Sequence, residues 1–227
     1  CNTSKGNKDM QTKLRPWQNE ALKKCTNWLL NKRIDRHFVI NAAPGSGKTI
    51  AACAITQTFF ELEKIERVIV IAPRAEVVAQ WSNDFAKVTG RYMSKVTAAD
   101  GDLNKLGVDV CATWSAVQGL QDAFQAICKS SKTLVICDEH HHAAVKAAWG
   151  SGADSAFTNA EFVLILTGTP IRSDGKQTIW LSYDEKNAIK QPEEGAYTLT
   201  YGEAVDLEYC RPVTFHRHEG KFTVDLD

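Results

Sequence analysis

The sequence has no apolar run approaching the ~20 residues needed to cross a bilayer, so a membrane-spanning segment is excluded. It also has no Cys-x-x-Cys pair among its seven cysteines, and Cys53, Cys111 and Cys137 lie inside short apolar segments. We therefore expect a reduced, intracellular protein without a disulfide framework, cytoplasmic or, in a eukaryote, nuclear. Finally, 27 basic and 27 acidic residues leave no net charge, so no overall basic field indicates a nucleic-acid partner.

The charge is unevenly distributed along the chain. Residues 1–36 carry nine Lys and Arg against three Asp and Glu, whereas the remainder carries 18 against 24. The basic segment is either a phosphate-contacting surface or a solvated helix face, and the sequence leaves both interpretations open. Because the chain begins Cys1-Asn2 rather than with Met, we expect a fragment of a longer protein.

Short apolar runs alternate with helix-forming segments. The runs are rich in Val and Ile and continuous, which is typical of strands buried on both faces of a parallel sheet. They are 38-FVIN, 68-VIVIA, 108-VDVCA, 134-LVICD and 162-FVLILT. Helices are predicted from Pro16 and over 49–64, 75–86 and 117–128. The pattern predicts an α/β fold with a mainly parallel sheet and helices on both faces, whose ligands bind beyond the carboxyl ends of the strands.

The segment 42–49, AAPGSGKT, follows a predicted strand and opens a predicted helix, as a P-loop (Walker A motif) requires. Its Pro44-Gly45-Ser46-Gly47 stretch is expected to surround phosphate oxygens with backbone N–H groups at a helix N-terminus. Lys48 is expected to contact the β- and γ-phosphates, and the Thr49 hydroxyl to bind Mg²⁺. The pattern predicts a nucleoside triphosphate with Mg²⁺ but does not indicate the reaction.

The segment DEHHHA, residues 138–143, has two interpretations. In the first, Asp138 ends a strand, holds Mg²⁺ partly through water, and Glu139 positions the attacking water. In the second, the histidines bind zinc; however, three consecutive side chains diverge on a helix or a strand, and zinc ligands are usually spaced further apart. We favour the first interpretation, with His141 hydrogen-bonded across the cleft and His140 and His142 as bystanders.

With APGSGKT and DEHH in this order, the chain resembles the first RecA-like domain of superfamily 2 helicases and translocases, from about residue 13 to 213. The His in the fourth position is similar to the DExH type rather than to DEAD-box enzymes. LTGTPIRSDG (166–175) resembles the motif that couples hydrolysis to movement, which implies this role for Thr167 and Thr169. Its Arg-x-Asp-Gly continuation is frequent in the branch of type III restriction enzymes and repair helicases, the ResIII-like branch.

Other stretches of the resemblance imply ligand contacts. LRPWQNEAL (14–22) is similar to the opening of the DNA-translocating branch, which implies that Gln18, with Arg15, binds the adenine of ATP. APRAEVVAQW (72–81) and TWSAV (113–117) resemble nucleic-acid-contacting motifs, which implies contacts from Pro73, Arg74 and Thr113. The family usually has Thr-Arg after the proline, where this chain has Arg-Ala. Each motif alone is also consistent with surface residues; their order and their places at strand ends favour the family.

The C-terminal part differs in composition. From residue 184 onward it carries ten acidic and five basic residues and no long apolar run until its end. We predict a RecA-like domain over 1–183, of which 1–36 form the N-terminal helix and its adenine-binding motif, and an irregular tail over 184–227. The stretch 201–213 resembles the segment that crosses to a second RecA-like domain. The roughly 40 residues after 183 are too few to form such a domain.

The hypothesis is an ATP-binding motor domain of a superfamily 2 DNA helicase or translocase. Its catalytic residues are Lys48, Asp138, Glu139 and His141, its cofactors ATP and Mg²⁺, and its expected partner is nucleic acid, with duplex DNA favoured over RNA. The isolated chain is expected to bind ATP and hydrolyse it poorly. Open alternatives are a motor fragment of a type I or type III restriction system, a P-loop kinase or other NTPase that ignores nucleic acid, and a non-enzymatic nucleotide-binding module.

Overall fold

The computed structural model describes residues 13–43, 45–97, 107–138, 154–168, 192–199 and 202–203, and the backbone of four short strands at 182–183, 189–190, 215–218 and 221–224. No helix in these ranges is long and apolar enough to cross a membrane. The helices are α1 (Pro16–Thr26), continued by a π-helical segment (Asn27–Lys32), α2 (Lys48–Glu61), α3 (Ala75–Thr89), α4 (Trp114–Gly119), α5 (Gln121–Ser130) and a 3₁₀ turn (Glu193–Gly195). The strands are β1 (His37–Ala42), β2 (Arg67–Ala72), β3 (Met93–Val96), β4 (Asp109–Thr113), β5 (Thr133–Cys137), β6 (Phe162–Thr167), β7 (Ser182–Tyr183), β8 (Ile189–Lys190), β9 (Ala196–Leu199), β10 (Phe215–His218) and β11 (Lys221–Val224).

Seven of the strands form one sheet in the order β3-β4-β2-β5-β6-β1-β9, and every pairing in it is parallel. The pairs β7–β8 and β10–β11 are antiparallel and separate from it. This architecture confirms the predicted α/β fold with a mainly parallel sheet.

The two edge strands, β3 and β9, were not anticipated from the apolar runs. In β9, Thr198 is exposed and Leu199 buried, and in β3 Lys95 is exposed between buried neighbours. An edge strand pairs on one side only and keeps polar side chains, so its sequence lacks a continuous apolar run. One consequence is that the sheet includes residues 196–199, within the segment predicted to be an irregular tail.

The sheet is covered on both faces, as its continuous apolar strands predict. Within β2, Val68 and Val70 belong to a core shared with α1, α2 and α3, whereas Ile69 and Ile71 belong to a second core shared with α4 and α5. Successive side chains of a strand point to opposite faces, so each strand contributes to both cores. The helix layers hold the strands, and therefore the described residues at their carboxyl ends, in fixed positions.

The strand order decides which loops meet. β6 lies between β1 and β5. At a strand spacing of about 4.8 Å, the ends of β1 and β5 are about 10 Å apart, with the end of β6 between them. The glycine-rich loop after β1 and Asp138 after β5 therefore lie on opposite sides of a gap wide enough for a phosphate group and an ion.

Candidate functional site

The glycine-rich loop adopts a conformation that depends on its glycines. Gly45 has φ 78° and Gly47 has φ 100°, in the left-handed region that other residues rarely adopt. Ser46 is buried, and its backbone N–H donates to the Ala43 carbonyl at 3.2 Å, closing the turn. Lys48 follows directly as the first residue of α2. The loop thus presents backbone N–H groups at a helix N-terminus, an arrangement suited to an anion.

Side chains at the start of helix α1 hold the outside of this loop by donating hydrogen bonds to two carbonyl groups of the loop. Arg15 Nη1 and Trp17 Nε1 both donate to the Ser46 carbonyl, at 2.7 and 3.1 Å. Gln18 Nε2 donates to the Gly47 carbonyl at 2.9 Å, while the Arg15 backbone N–H donates to Gln18 Oε1 at 2.7 Å. Gln18 is 3% exposed. In this structure the predicted adenine-binding glutamine therefore supports the backbone of the loop.

Asp138 lies directly after β5 and is fixed by the neighbouring β2–α3 unit. Its backbone N–H donates to the Ile71 carbonyl of β2 at 2.9 Å. Its side-chain Oδ2 accepts a hydrogen bond of 2.8 Å from Trp81 Nε1, in the middle of α3. Asp138 is 7% exposed and Trp81 is 1% exposed. The carboxylate is therefore held at a defined position on the carboxyl edge of the sheet.

A cavity of about 580 Å³ lies between the glycine-rich loop, the start of α2 and one face of α3. The loop contributes Gly45 and Gly47, α2 contributes Lys48, Thr49 and Ile50, and Asp138 lines the same space. The remaining lining residues follow from the start of α3 along one face of that helix: Pro73, Arg74, Val77, Gln80 and Asp84. The structure thus brings the predicted phosphate-binding residues and Asp138 together in one cavity.

The donor set of this cavity fits a magnesium ion. Thr49 offers a hydroxyl oxygen and Asp138 a carboxylate oxygen, the hard ligands that Mg²⁺ prefers, and Mg²⁺ usually keeps water and substrate phosphate as its other ligands. Within the described ranges no group of three His, Cys, Asp or Glu side chains could hold a metal ion. His140, His141 and His142 lie outside them.

Burial shapes the acid–base properties around the cavity. Burial raises the pKa of the Asp84 carboxyl, although the positive charge of Lys87 opposes the shift. Burial, and then the negative charge of Asp138, raise the pKa of the Cys111 and Cys137 thiols well above their usual value. Cys53, next to the cavity on α2, is also buried with a raised pKa. These cysteines are therefore protonated core residues, as expected from the apolar segments that contain them.

Some predicted site residues lie apart from the cavity or outside the described ranges. Thr113 is 6% exposed, and its hydroxyl caps α4 by accepting from the Ala116 N–H at 3.2 Å. Thr167 is 2% exposed at the end of β6, between the two sides of the site. The predicted residues that fall outside the described ranges are Pro44, Glu139, His141 and Thr169.

Sequence reasoning missed three residues of α3. Trp81 lies against Asp138, and Gln80 and Asp84 line the cavity. Helical spacing supplies a signal, since residues 77, 80, 81 and 84 lie on one face of a helix that follows a neighbouring strand. The missing information was the strand order, which places β2, and with it α3, beside β5, so that Trp81 meets Asp138 at the end of β5.

Comparisons with known proteins show which family the chain is similar to. The family model described as "Type III restriction enzyme, res subunit" matches residues 11–172. An uncharacterized protein of Mycobacterium tuberculosis is 30% identical over 208 residues, which cover 92% of this chain and 34% of that protein. A related protein of Mycobacterium leprae is 29% identical over the same length. The chain therefore spans about a third of the length of the curated relatives it matches.

Solved structures share the fold. The UvsW helicase from bacteriophage T4 has a TM-score of 0.55 at 19% identity, covering 73% of this chain and 55% of that one. The Sulfolobus solfataricus SWI2/SNF2 ATPase core in complex with dsDNA has a TM-score of 0.58 at 14% identity, covering 76% and 35%. The ATP-dependent type ISP restriction-modification enzyme LlaBIII bound to DNA has a TM-score of 0.57 at 16% identity, covering 87% and 16%. At these identities the likeness shows the fold alone, a RecA-like α/β fold.

Proposed function

The chain belongs to the family of the type III restriction enzyme res subunit, and on that premise we propose that it is the ATP-binding motor domain of a DNA helicase or translocase. The observation that carries the proposal is the cavity of about 580 Å³ lined by Lys48, Thr49 and Asp138 together. Two glycines with positive φ and a helix N-terminus at the same cavity support binding of a triphosphate.

Each residue has a distinct proposed task in binding ATP. The backbone N–H groups of the loop hold the β-phosphate, and Lys48 neutralises charge that develops on the γ-phosphate. Thr49 and Asp138 hold Mg²⁺, partly through water, which when bound offsets the charge of the phosphates. By resemblance to the family, Glu139 positions the attacking water and His141 connects the site to the far side of the cleft.

For the partner, we propose DNA, with duplex DNA favoured over RNA. Two proteins of similar fold, the SWI2/SNF2 core and LlaBIII, were solved with DNA, which supports this choice. The proposed contacts are made by Pro73, Arg74 and Thr113, and Thr167 and Thr169 couple hydrolysis to movement. Arg74 is exposed at the start of α3, where it lines the nucleotide cavity, so it lies between the two proposed ligands.

We further propose that efficient hydrolysis requires a second RecA-like domain. The relatives are about three times as long as this chain, which supports a larger motor. In such motors an arginine supplied across the cleft increases the rate by ~10³–10⁵. The 227-residue chain alone is therefore expected to bind ATP and to hydrolyse it slowly.

The test measures ATP binding and hydrolysis by the chain at a stated salt concentration, with no nucleic acid, duplex DNA, single-stranded DNA or RNA. We expect Mg²⁺-dependent ATP binding that Lys48→Ala weakens, together with slow hydrolysis. Fast DNA-stimulated hydrolysis by the chain alone would contradict the requirement for a second domain. In a longer protein that contains this chain, ATPase activity indifferent to every nucleic acid would favour an NTPase of another class. Unchanged affinity in Lys48→Ala would contradict the nucleotide site itself.

A further inference from the structure

The indole N–H of Trp81 has a different kind of hydrogen-bond acceptor from those of the other described tryptophans. Four tryptophans lie in the described ranges. The N–H groups of Trp17 and Trp28 donate to backbone carbonyls, and that of Trp114 has no acceptor within hydrogen-bond distance there. Trp81 alone among the four donates to a side-chain carboxylate, that of Asp138, at 2.8 Å. A hydrogen bond to a buried carboxylate is shorter and stronger than one between neutral groups, and it fixes the orientation of the carboxylate.

We propose that Trp81 is a positioning residue that holds the carboxylate of Asp138 in the orientation needed to bind the magnesium of the nucleotide. The inference rests on the proposed function and adds to it a residue that does not line the cavity. Trp81 would not touch the nucleotide; it acts through Asp138.

The surroundings of Trp81 support a fixed geometry. Its ring belongs to the core shared by α1, α2 and α3 and is 1% exposed, so the indole cannot turn away without disrupting that core. Val78 and Phe85, one turn away on either side, are fully buried and anchor the same helix. The direction of the indole N–H is therefore set by the packing of α3.

The same β2–α3 unit also holds the backbone of Asp138. The Ile71 carbonyl at the end of β2 accepts from the Asp138 N–H at 2.9 Å. With Trp81 Nε1 on Oδ2, both the main chain and one carboxylate oxygen are fixed by one rigid unit. The indole restricts rotation about the side-chain torsions of Asp138. Residues that orient a metal-binding side chain typically contribute 10–100-fold to metal affinity.

The experiment compares Trp81→Phe with Trp28→Phe on the purified protein. Trp28 is 3% exposed, and its Nε1 donates to the His37 carbonyl at 2.8 Å, at the opposite end of the sheet, so both variants lose one equally short indole hydrogen bond. Binding of the non-hydrolysable ATP analogue AMP-PNP is measured by calorimetry with excess Mg²⁺ and with EDTA. We expect Trp81→Phe to lose about 10-fold in affinity with Mg²⁺ and nothing in EDTA. Trp28→Phe should match the wild type in both conditions.

The possible outcomes separate this inference from the proposed function. Wild-type protein that binds the analogue equally well with and without Mg²⁺ would contradict the proposed magnesium site, whatever Trp81 does. The inference about Trp81 alone would be overturned if the wild type binds in a Mg²⁺-dependent way and Trp81→Phe has the same affinity as Trp28→Phe. It would also be overturned if Trp81→Phe loses as much affinity in EDTA as with Mg²⁺.

A second measurement applies if Trp81→Phe does not fold. In wild-type protein with ¹⁵N-labelled tryptophan, adding Mg²⁺ to the AMP-PNP complex should shift the indole signal of Trp81. The signal of Trp28, identified by its absence from Trp28→Phe, should stay in place. The signal of Trp17, which donates to the Ser46 carbonyl of the loop, is identified in the same way from Trp17→Phe and set aside. If no indole signal other than those of Trp17 and Trp28 moves, the inference is wrong.

Discussion

The amino ends and the carboxyl ends of the strands, here called the amino edge and the carboxyl edge of the sheet, contain the same kinds of polar side chains and use them differently. At the amino edge, Asp109 accepts from the Val68 backbone N–H at 3.0 Å and from Arg91 Nε at 2.8 Å. Arg36 Nη1 donates to the carbonyls of Phe157, Thr158 and Ala160 at 3.3, 2.8 and 2.9 Å. At the carboxyl edge, Lys48, Thr49 and Asp138 line a cavity of about 580 Å³.

The difference shows how a structural charge is distinguished from a functional one. A buried charge is tolerated when hydrogen bonds or an opposite charge compensate for its desolvation. At the amino edge the compensation comes from the strands and loops of the fold. At the carboxyl edge, Lys48, Thr49 and Asp138 instead line the cavity of about 580 Å³. Substitutions at the first edge should therefore reduce the stability of the fold, and those at the second should reduce ligand affinity.

Asp109→Ala should produce the largest effect, and on stability. The side chain of Asp109 is 3% exposed, and its removal leaves the Val68 N–H and the Arg91 guanidinium without their acceptor. We expect the free energy of unfolding to fall by about 3 kcal/mol, measured by urea denaturation. Asp109→Asn keeps an acceptor and should lose less. A reduced affinity for AMP-PNP in a folded Asp109→Ala protein would break the division between the two edges.

Gly47→Ala should have the next largest effect, this time on ligand binding. Gly47 has φ 100°, and a Cβ there would lie 2.5 Å from Gln18 Nε2, so alanine is strained and displaces the glutamine. Backbone strain of about 1–2 kcal/mol and one lost hydrogen bond of about 1 kcal/mol together predict a loss of AMP-PNP affinity of about 30- to 150-fold. Gly90→Ala is the control, because Gly90 also has a positive φ, 70°, but ends α3 with open space around it. Gly90→Ala should lower stability and leave affinity unchanged; equal affinity losses would contradict the prediction.

Gln18→Ala should give a smaller effect that separates two roles of one residue. If Gln18 acts through the Gly47 carbonyl, its removal loosens the loop and weakens the binding of ATP and of GTP equally. One lost hydrogen bond of about 1 kcal/mol corresponds to about a fivefold loss of affinity. If it binds adenine, only ATP binding weakens. The short bond to Gly47 and the 3% exposure of Gln18 lead us to expect the equal loss, measured by competition against a fluorescent nucleotide. A loss confined to ATP would restore the role implied by the family resemblance.

The central strands and the cavity residues follow from local patterns. Continuous apolar runs predict buried strands, and a polar motif after each run predicts chemistry at one edge, because parallel strands end on the same side. The structure confirms the central strands of the sheet and brings Lys48, Thr49 and Asp138 to one cavity. Their roles toward ATP and Mg²⁺ stay predictions.

The rest depends on contacts between distant segments, which no local pattern encodes. Trp81 and Asp138 are 57 residues apart, and Gln18 and Gly47 are 29 apart. The strand order brings Trp81 and Asp138 together, and the packing of α1 against α2 brings Gln18 to Gly47. The sequence alone specifies neither. The same limit applies to β9, whose half-buried side chains gave no apolar signal although it pairs with β1.

Asp84→Asn should give the smallest effect and test whether the cavity itself destabilises a charge. Burial raises the pKa of Asp84, so its contribution to stability is complete below the unfolded value near 3.8 and is lost as the pH rises through the folded pKa. The free energy of unfolding of the asparagine variant should therefore be a few tenths of a kcal/mol higher at pH 7, a small gain because Asp84 is only half-buried, and unchanged near pH 3. Because Asp84 lines the cavity, removing its negative charge should also tighten AMP-PNP binding slightly, most visibly at low salt. A gain in stability that persists at pH 3 would mean that packing, not charge, sets the difference, and Asp84 would then belong with the structural residues of the other edge.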